Sequence, residues 1–349
     1  MSVNQRKFVV LVSLLLIFPI LLGCSPKTKS PALISIQTES RLLSFPPAYY
    51  DYVVYFDNKL VAFSHDTTKL PSESISFASE GDTSLSPFKP SPVPTCDEKS
   101  VFNLMGWVLP DGRLGILVDC FREYLPITSS ILAYDWQTGE LEQIVKGPIA
   151  EGLLSKFFTW NPQMTKGVQQ MGNGIEGTIY WISSEGASPM DIEIEDQGLT
   201  WNLKDYFEGK RSRLGSASTP AWSPDGKSIA FFASAYGIRE EPLPKMNAQH
   251  ALYIMGVSDL EPVQVIPRIA DAFRLHWSPD SKRLLFGGCM GSQLKCGFWL
   301  YNVDIKSIAL IDQGSFQDFT WITDEKIAAI KNITTPFDDN EIWEYSISQ

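Results

Sequence analysis

The sequence predicts an all-β chain: a ring of similar four-stranded units, six in number with seven left open, closed by a strand from near the N-terminus. Three observations predict it. A strand–turn–strand motif recurs along the chain, its copies are evenly spaced, and each of the last five is followed by a further apolar strand.

The two best copies are Ala221-Trp222-Ser223-Pro224-Asp225-Gly226-Lys227-Ser228-Ile229-Ala230-Phe231 and Trp277-Ser278-Pro279-Asp280-Ser281-Lys282-Arg283-Leu284-Leu285-Phe286. Pro fixes φ at the first corner of a turn, Asp bonds its own backbone, and Gly accepts φ > 0. Apolar residues then alternate with polar ones, as on a half-buried strand. Degenerate copies begin at Trp107, Trp160 and Trp321, and Tyr55-Phe56-Asp57-Asn58-Lys59 reads as a sixth. One such stretch is only a hairpin. Copies at 55, 107, 160, 222, 277 and 321 make a repeat. The strands that follow are Ile131–Tyr134, Ile179–Ile182, Leu252–Met255, Phe298–Tyr301 and Ile342–Tyr345. Most lead by a polar turn into a fourth strand, as in Val257–Ile266. A repeat of roughly 40–50 residues carrying four strands is the signature of a β-propeller blade.

The motif Trp-Ser-Pro-Asp-Gly-Lys-x-Ile-Ala-Phe resembles the repeat of the TolB-like, WD40-like propellers found in bacterial exported proteins. The match is close at 222–231 and 277–286, looser elsewhere, and extends over about 50–347. The resemblance implies the fold and leaves the activity open, because propellers host many unrelated functions. The chain departs from TolB in leaving no room for an α/β domain ahead of the ring, and in a lipoprotein-like start.

Residues 1–23 read as a leader. Arg6 and Lys7 precede an apolar run from Phe8 to Leu22, short for a membrane span. The run ends in Leu21-Leu22-Gly23-Cys24, which resembles the lipobox of bacterial lipoproteins. That resemblance implies cleavage before Cys24 and its diacylation, so acyl chains would tether the protein. A plain signal peptide with an incidental Cys is the alternative. Ser25 follows, with no Asp to imply retention at an inner membrane, which favours the outer membrane in a two-membrane cell. Residues 24–32 are then the lipidated Cys and a polar, Pro-containing linker, and 33–349 the propeller. A strand near 33–37 is expected to complete the last blade, removing an exposed edge. Ser86 to Asp97, with four prolines, is expected to be a long loop, and Leu199 to Lys210 an irregular insertion with one helical turn.

Removing Arg6 and Lys7 with the leader takes the 29 basic residues to 27 against 40 acidic, a net charge of −13. That balance excludes an ordinary nucleic-acid binder, which needs a basic footprint. The 44% apolar content suffices for one large domain.

Apart from Cys24, four Cys remain, an even number in an exported chain. Cys289 and Cys296 lie between the second and third strands of one blade and are placed to staple it. Cys96 precedes Trp107 and Cys120 ends the next strand, so an up-and-down blade brings both to one face. The alternative is four reduced thiols. The same face carries the connections between second and third strands, expected at about 120–130, 168–177, 235–250, 287–297 and 331–341. Their aromatic and charged residues, Arg122, Tyr124, Tyr236, Arg239, Phe337 and Asp338, are the candidate binding groups.

Catalytic patterns are scarce. His65 and His250 fall in expected loops, and His276 on an inner strand reads as packed. No Gly-x-Ser-x-Gly, His-Glu-x-x-His or phosphate loop is present. Asp191-Ile192-Glu193-Ile194-Glu195-Asp196 alternates as one edge strand and lacks the Gly of a calcium loop. No cofactor, metal or catalytic residue is assigned. The expected function is a non-catalytic binding or scaffold module, lipid-anchored outside the cytoplasmic membrane. Its expected partners are the membrane, through the lipid, and an envelope protein or polymer. The alternative is a carbohydrate-active propeller enzyme, which needs two or three carboxylates converging in the channel at about 5–10 Å.

Overall fold

The structure is a computed structural model, and it describes residues 30–65, 75–88, 101–122, 125–145, 158–173, 176–183, 186–196, 199–203, 215–235, 249–291, 293–333 and 340–348. Cys24, Cys96, Tyr124, Tyr236, Arg239, Phe337 and Asp338 lie outside them. Among the described residues every regular element is a β-strand.

Two short strands come first, β1 (Ala32–Leu33) and β2 (Gln37–Leu42). Six four-stranded units follow. The first is β3 (Tyr52–Phe56), β4 (Lys59–His65), β5 (Ile75–Ser79) and β6 (Ser86–Pro87). The second is β7 (Val101–Val108), β8 (Leu114–Arg122), β9 (Leu125–Tyr134) and β10 (Leu141–Val145). The third is β11 (Phe158–Trp160), β12 (Gly167–Asn173), β13 (Glu176–Ser183) and β14 (Gly186–Pro189), followed by an added hairpin, β15 (Glu193–Asp196) and β16 (Leu199–Asn202). The fourth is β17 (Gly215–Trp222), β18 (Ser228–Ala235), β19 (Gln249–Gly256) and the first part of β20 (Pro262–Trp277). The rest of β20 opens the fifth, with β21 (Arg283–Met290), β22 (Lys295–Asn302) and β23 (Ser307–Gln313). Because β20 serves both, the fourth and fifth units form one eight-stranded sheet. The sixth is β24 (Phe316–Thr323), β25 (Lys326–Asn332) and β26 (Asn340–Ser348), completed by β2.

That closure corrects one boundary. The strand that completes the last unit is Gln37–Leu42, antiparallel to β26 from Gln37↔Ser348 to Leu42↔Trp343. Residues 32–33 instead add in parallel to β23 of the fifth unit. Ile36, between them, packs into the core shared by units five and six, which fixes where the chain crosses.

Six apolar clusters sit between successive units. Phe63 and Leu114 share one, between units one and two; Ala133 and Tyr180 share the next. Ile179 and Phe231 lie together, as do Phe232 and Phe286, then Phe298 and Phe319. The last joins Ile330 and Ile342 of the sixth unit to Val53 and Leu60 of the first. The series closes on itself, so the sheets are arranged as a propeller. Each fully buried Phe contributes about 1.5–3 kcal/mol.

The repeat motif builds identical turns. Ser223 donates its hydroxyl to Asp225 Oδ1 at 2.7 Å, which also accepts from the Lys227 amide, and the Ser228 amide donates to Ser223 Oγ. Gly226, at φ +75°, occupies the corner that favours glycine. In the fifth unit Ser278 and Asp280 repeat these bonds. The turns also clasp each other: the Asp225 amide donates to Ser281 Oγ, and the Asp280 amide to Asp324 Oδ1.

Several expected loops are instead strand. Arg122 pairs with Leu125, so the 120–130 connection contracts to residues 123–124. Those at 168–177 and 287–297 contract likewise, because the flanking alternation pairs through to the ends of β12–β13 and β21–β22. Leu199–Asn202, the start of the stretch expected to be irregular, is a strand, and residues 204–210 of that stretch lie outside the described residues. The strand pairs with Glu193–Asp196, and Ile192, Ile194 and Trp201 are buried beneath. Ser86–Pro87, expected as loop, is the outer strand of the first unit.

Candidate functional site

The innermost strands of all six units line a central cavity of about 240 Å³. Part of its polar lining comes from one position repeated in three units, three residues before the repeat Trp, and Thr159, His276 and Thr320 add to it. Thr219, Arg274 and Asp318 hold that place before Trp222, Trp277 and Trp321, and all three face the cavity.

Local backbone explains why. The registers of β17, β20 and β24 shift between Ser218 and Ala221, between Phe273 and Leu275, and between Phe316 and Asp318. Such bulges re-aim a side chain at the cost of ladder bonds. Thr219 and Arg274 sit at φ +52° and +49°, a conformation uncommon outside glycine. Gly106, in the second unit's inner strand, has another constraint: a Cβ there would overlap the Tyr52 ring.

Arg274 Nε lies 3.2 Å from Asp318 Oδ1, and the Val53 amide donates to Asp318 Oδ2 at 3.1 Å. One carboxylate thus ties the fifth, sixth and first units together at the seam. Burial raises the Asp318 pKa, and Arg274 with the Val53 and Phe319 amides offset this only in part. His276, on the same strand as Arg274, has its pKa pushed down to about 3, first by burial and then by the Arg274 charge. Its ring packs edge-on against Phe319, so it is neutral at physiological pH, as expected for a packed residue. On the other side, Gln170 Oε1 accepts from the Thr219 amide and Thr159 Oγ1 from the Trp222 amide, bonding unit three to unit four.

Among the described residues that line the cavity, Asp318 is the one carboxylate. No three His, Cys, Asp or Glu side chains gather to hold a metal among the described residues.

Of the loop-face candidates, Arg122 ends β8 and the other five lie outside the described residues. Cys289 and Cys296 form a disulfide between directly opposed residues of β21 and β22. Cys120 is on β8, and its expected partner Cys96 is outside the described residues. The reading from sequence missed Arg274, Asp318 and Thr219. The available signal was a polar residue recurring three places before the Trp, on strands otherwise apolar.

Solved structures with a similar fold include TolB from Acinetobacter baumannii, at 13% identity and a TM-score of 0.50 over 84% of this chain. The chain spans 64% of that protein's length. A PQQ-bound aldose sugar dehydrogenase from Streptomyces coelicolor has a TM-score of 0.51 at 11% identity, covering 91% of this chain and 100% of that one.

The fold is a β-propeller.

An oligogalacturonate lyase from Vibrio parahaemolyticus aligns over 92% of this chain and 99% of its own, at 11% identity and a TM-score of 0.46. No family model matches the propeller chain, and no curated protein does. Likeness at these identities shows the fold alone, and TolB-like propellers are among those that share it.

Proposed function

We propose that this propeller is a non-catalytic binding or scaffold module, lipid-anchored through Cys24 outside the cytoplasmic membrane and presenting its loop face to an envelope protein or polymer. The observation that carries the proposal is the use made of Asp318. A glycosidase-type site needs a second carboxylate across the cavity. Here Asp318, the one carboxylate among the described residues that line the cavity, is occupied by Arg274 and the Val53 amide, so its role is to join blades. Thr159 and the Thr219 and Trp222 amides likewise bond one unit to the next. The propeller supplies a rigid ring. The Cys289–Cys296 disulfide, with a proposed Cys96–Cys120 partner, holds the loop face. The leader ending at Gly23 and the acylated Cys24 set the location.

The test has two parts. The N-terminal peptide of the mature protein is weighed, and diacylglycerol on Cys24 is the expected result; an unmodified thiol overturns the anchor. Purified protein is then incubated with envelope glycans. The expected result is no product. Turnover that disappears in Asp318→Asn would replace this reading with the enzyme.

A further inference from the structure

We infer that the central cavity binds a free α-amino acid with an apolar side chain, held as the zwitterion between Arg274 and Asp318. The site is separate from the proposed loop face and does not depend on the lipid anchor.

The cavity holds one charge of each sign. Among the described residues that line it, Arg274 and Asp318 are the charged side chains, with Nε and Oδ1 3.2 Å apart, and His276 is neutral. An anion drawn to the guanidinium meets the carboxylate, and a cation drawn to the carboxylate meets the guanidinium. A ligand with a carboxylate and an ammonium on one carbon sets each charge against its opposite. Asp318 already accepts from Arg274 and from the Val53 and Phe319 amides, which leaves its two oxygens room for about one more donor. The Asp51 charge adds to burial in raising the Asp318 pKa, and an ammonium beside Asp318 favours its ionised form against both. The pair keeps its place in the blade seam.

The walls decide the rest of the ligand. Units one and two contribute Val53, Val54, Gly106, Trp107 and Val108, which offer apolar surface and, at Gly106, no side chain at all. Each hydroxyl, imidazole and charged group among the described lining residues belongs to units three to six. A sugar, polar all round, would turn hydroxyls to the apolar arc and leave them without partners. An apolar amino acid turns its side chain there instead. The size agrees: about 240 Å³ is the share of about eight waters, or of an organic molecule of about 8–12 non-hydrogen atoms, the range of valine, leucine and phenylalanine.

Pro224, in the Ser-Pro-Asp turn of the fourth unit, lines the cavity, and Val108, at the end of β7, is 38% exposed. The cavity therefore reaches the surface at the turn face, which gives a small solute its way in. Thr219 and Arg274 hold positive φ on the inner strands. Backbone in that region is kept where a particular side chain must point into a site.

The test is isothermal titration calorimetry on the whole purified protein in phosphate buffer, with L-valine, L-leucine and L-phenylalanine as probes. The expected result is saturable binding of at least one, with a Kd below about 1 mM. The N-acetyl and methyl-ester derivatives of that amino acid, each left with one charge, are expected to bind at least about tenfold more weakly. Val108→Trp fills the cavity from its exposed rim, away from the Arg274–Asp318 seam, and is expected to abolish binding with the thermal melt unchanged. No saturation by any of the three up to about 10 mM overturns the inference. So does equal binding of a singly charged derivative, full binding by folded Val108→Trp, or tighter binding of D-glucose than of the amino acids. None of these outcomes touches the lipid anchor or the loop face.

Discussion

The fourth to sixth units and the first three solve one problem, holding neighbouring blades together, by different means. In the later units the link is a repeated hydrogen bond. Trp277 Nε1 donates to the Ala221 carbonyl and Trp321 Nε1 to the His276 carbonyl, each acceptor standing just before the previous repeat Trp. The turn clasps run in parallel along the rim. In the first two units, aromatic packing dominates: Phe56, Phe77, Phe88 and Tyr134 surround Trp136. At the boundary with unit three the pattern changes. The Trp222 amide bonds Thr159 Oγ1, while its indole N–H is buried without a partner among the described residues. From the fifth unit on, the repeat Trp has a fixed partner on the blade before it. In the first two units the apolar volume between blades carries more of the contact, and many sequences satisfy that.

The sharpest way to break this comparison is to truncate a Trp in each half. Trp277→Ala removes a buried ring and its bond to unit four and is expected to cost about 3–5 kcal/mol in urea unfolding. Trp107→Ala, at a half-buried ring lying over Gly115, is expected to cost clearly less. Equal losses would show that the two halves are held alike.

The closing seam comes next. Arg41 meets both oxygens of Glu344, at 3.0 and 3.1 Å, and Lys326 adds to the network. Glu344→Ala is expected to cost about 1–2 kcal/mol and to raise hydrogen exchange in β2 before any other strand. The Arg41 hydrogen bonds hold the Glu344 carboxyl below its usual range. Its contribution is therefore present above the unfolded-state value and lost as pH falls through the lowered folded one. A seam that loosens at neutral pH instead would contradict the pairing.

His276 gives a smaller effect in the same acid direction. With its folded pKa near 3 it binds a proton less readily than in the unfolded chain. Stability then falls as pH drops from about 6.5 towards 3, by about 1 kcal/mol at pH 5 after allowing for the open channel. His276→Gln should flatten that slope, seen in thermal melts from pH 7 to 5; an unchanged slope would place the titration elsewhere.

The smallest expected effect tests the clasps. Ser281→Ala removes the acceptor for the Asp225 amide and is expected to cost about 0.5–1 kcal/mol. Asp111→Ala in the second unit loses a local bond to the Arg113 amide and an exposed ion pair, and should cost less.

Much of the fold was legible because repetition is a one-dimensional signal. Pro224, Asp225 and Gly226 specify a turn by local chemistry, and their recurrence with Trp specifies a blade. The Cys289–Cys296 bridge was legible too, because hairpin register places two such residues opposite each other. The extents of β8–β9 and β12–β13 were less so, since polar residues such as Thr128, Ser129 and Gln170 read as loop until a partner strand pairs with them. The channel was not read at all. Arg274 and Asp318 are separated by a whole blade, and each looks like an ordinary polar residue on its own strand.

The sequence by itself determined the unit, its number of strands and its repetition, because turn preference and alternation depend on neighbours along the chain. Only the tertiary structure decided which N-terminal strand closes the ring, where β20 passes from one blade to the next, and that Asp318 meets Arg274. Those outcomes depend on bulges that turn a side chain by one position and on contacts across hundreds of residues. No local preference encodes either.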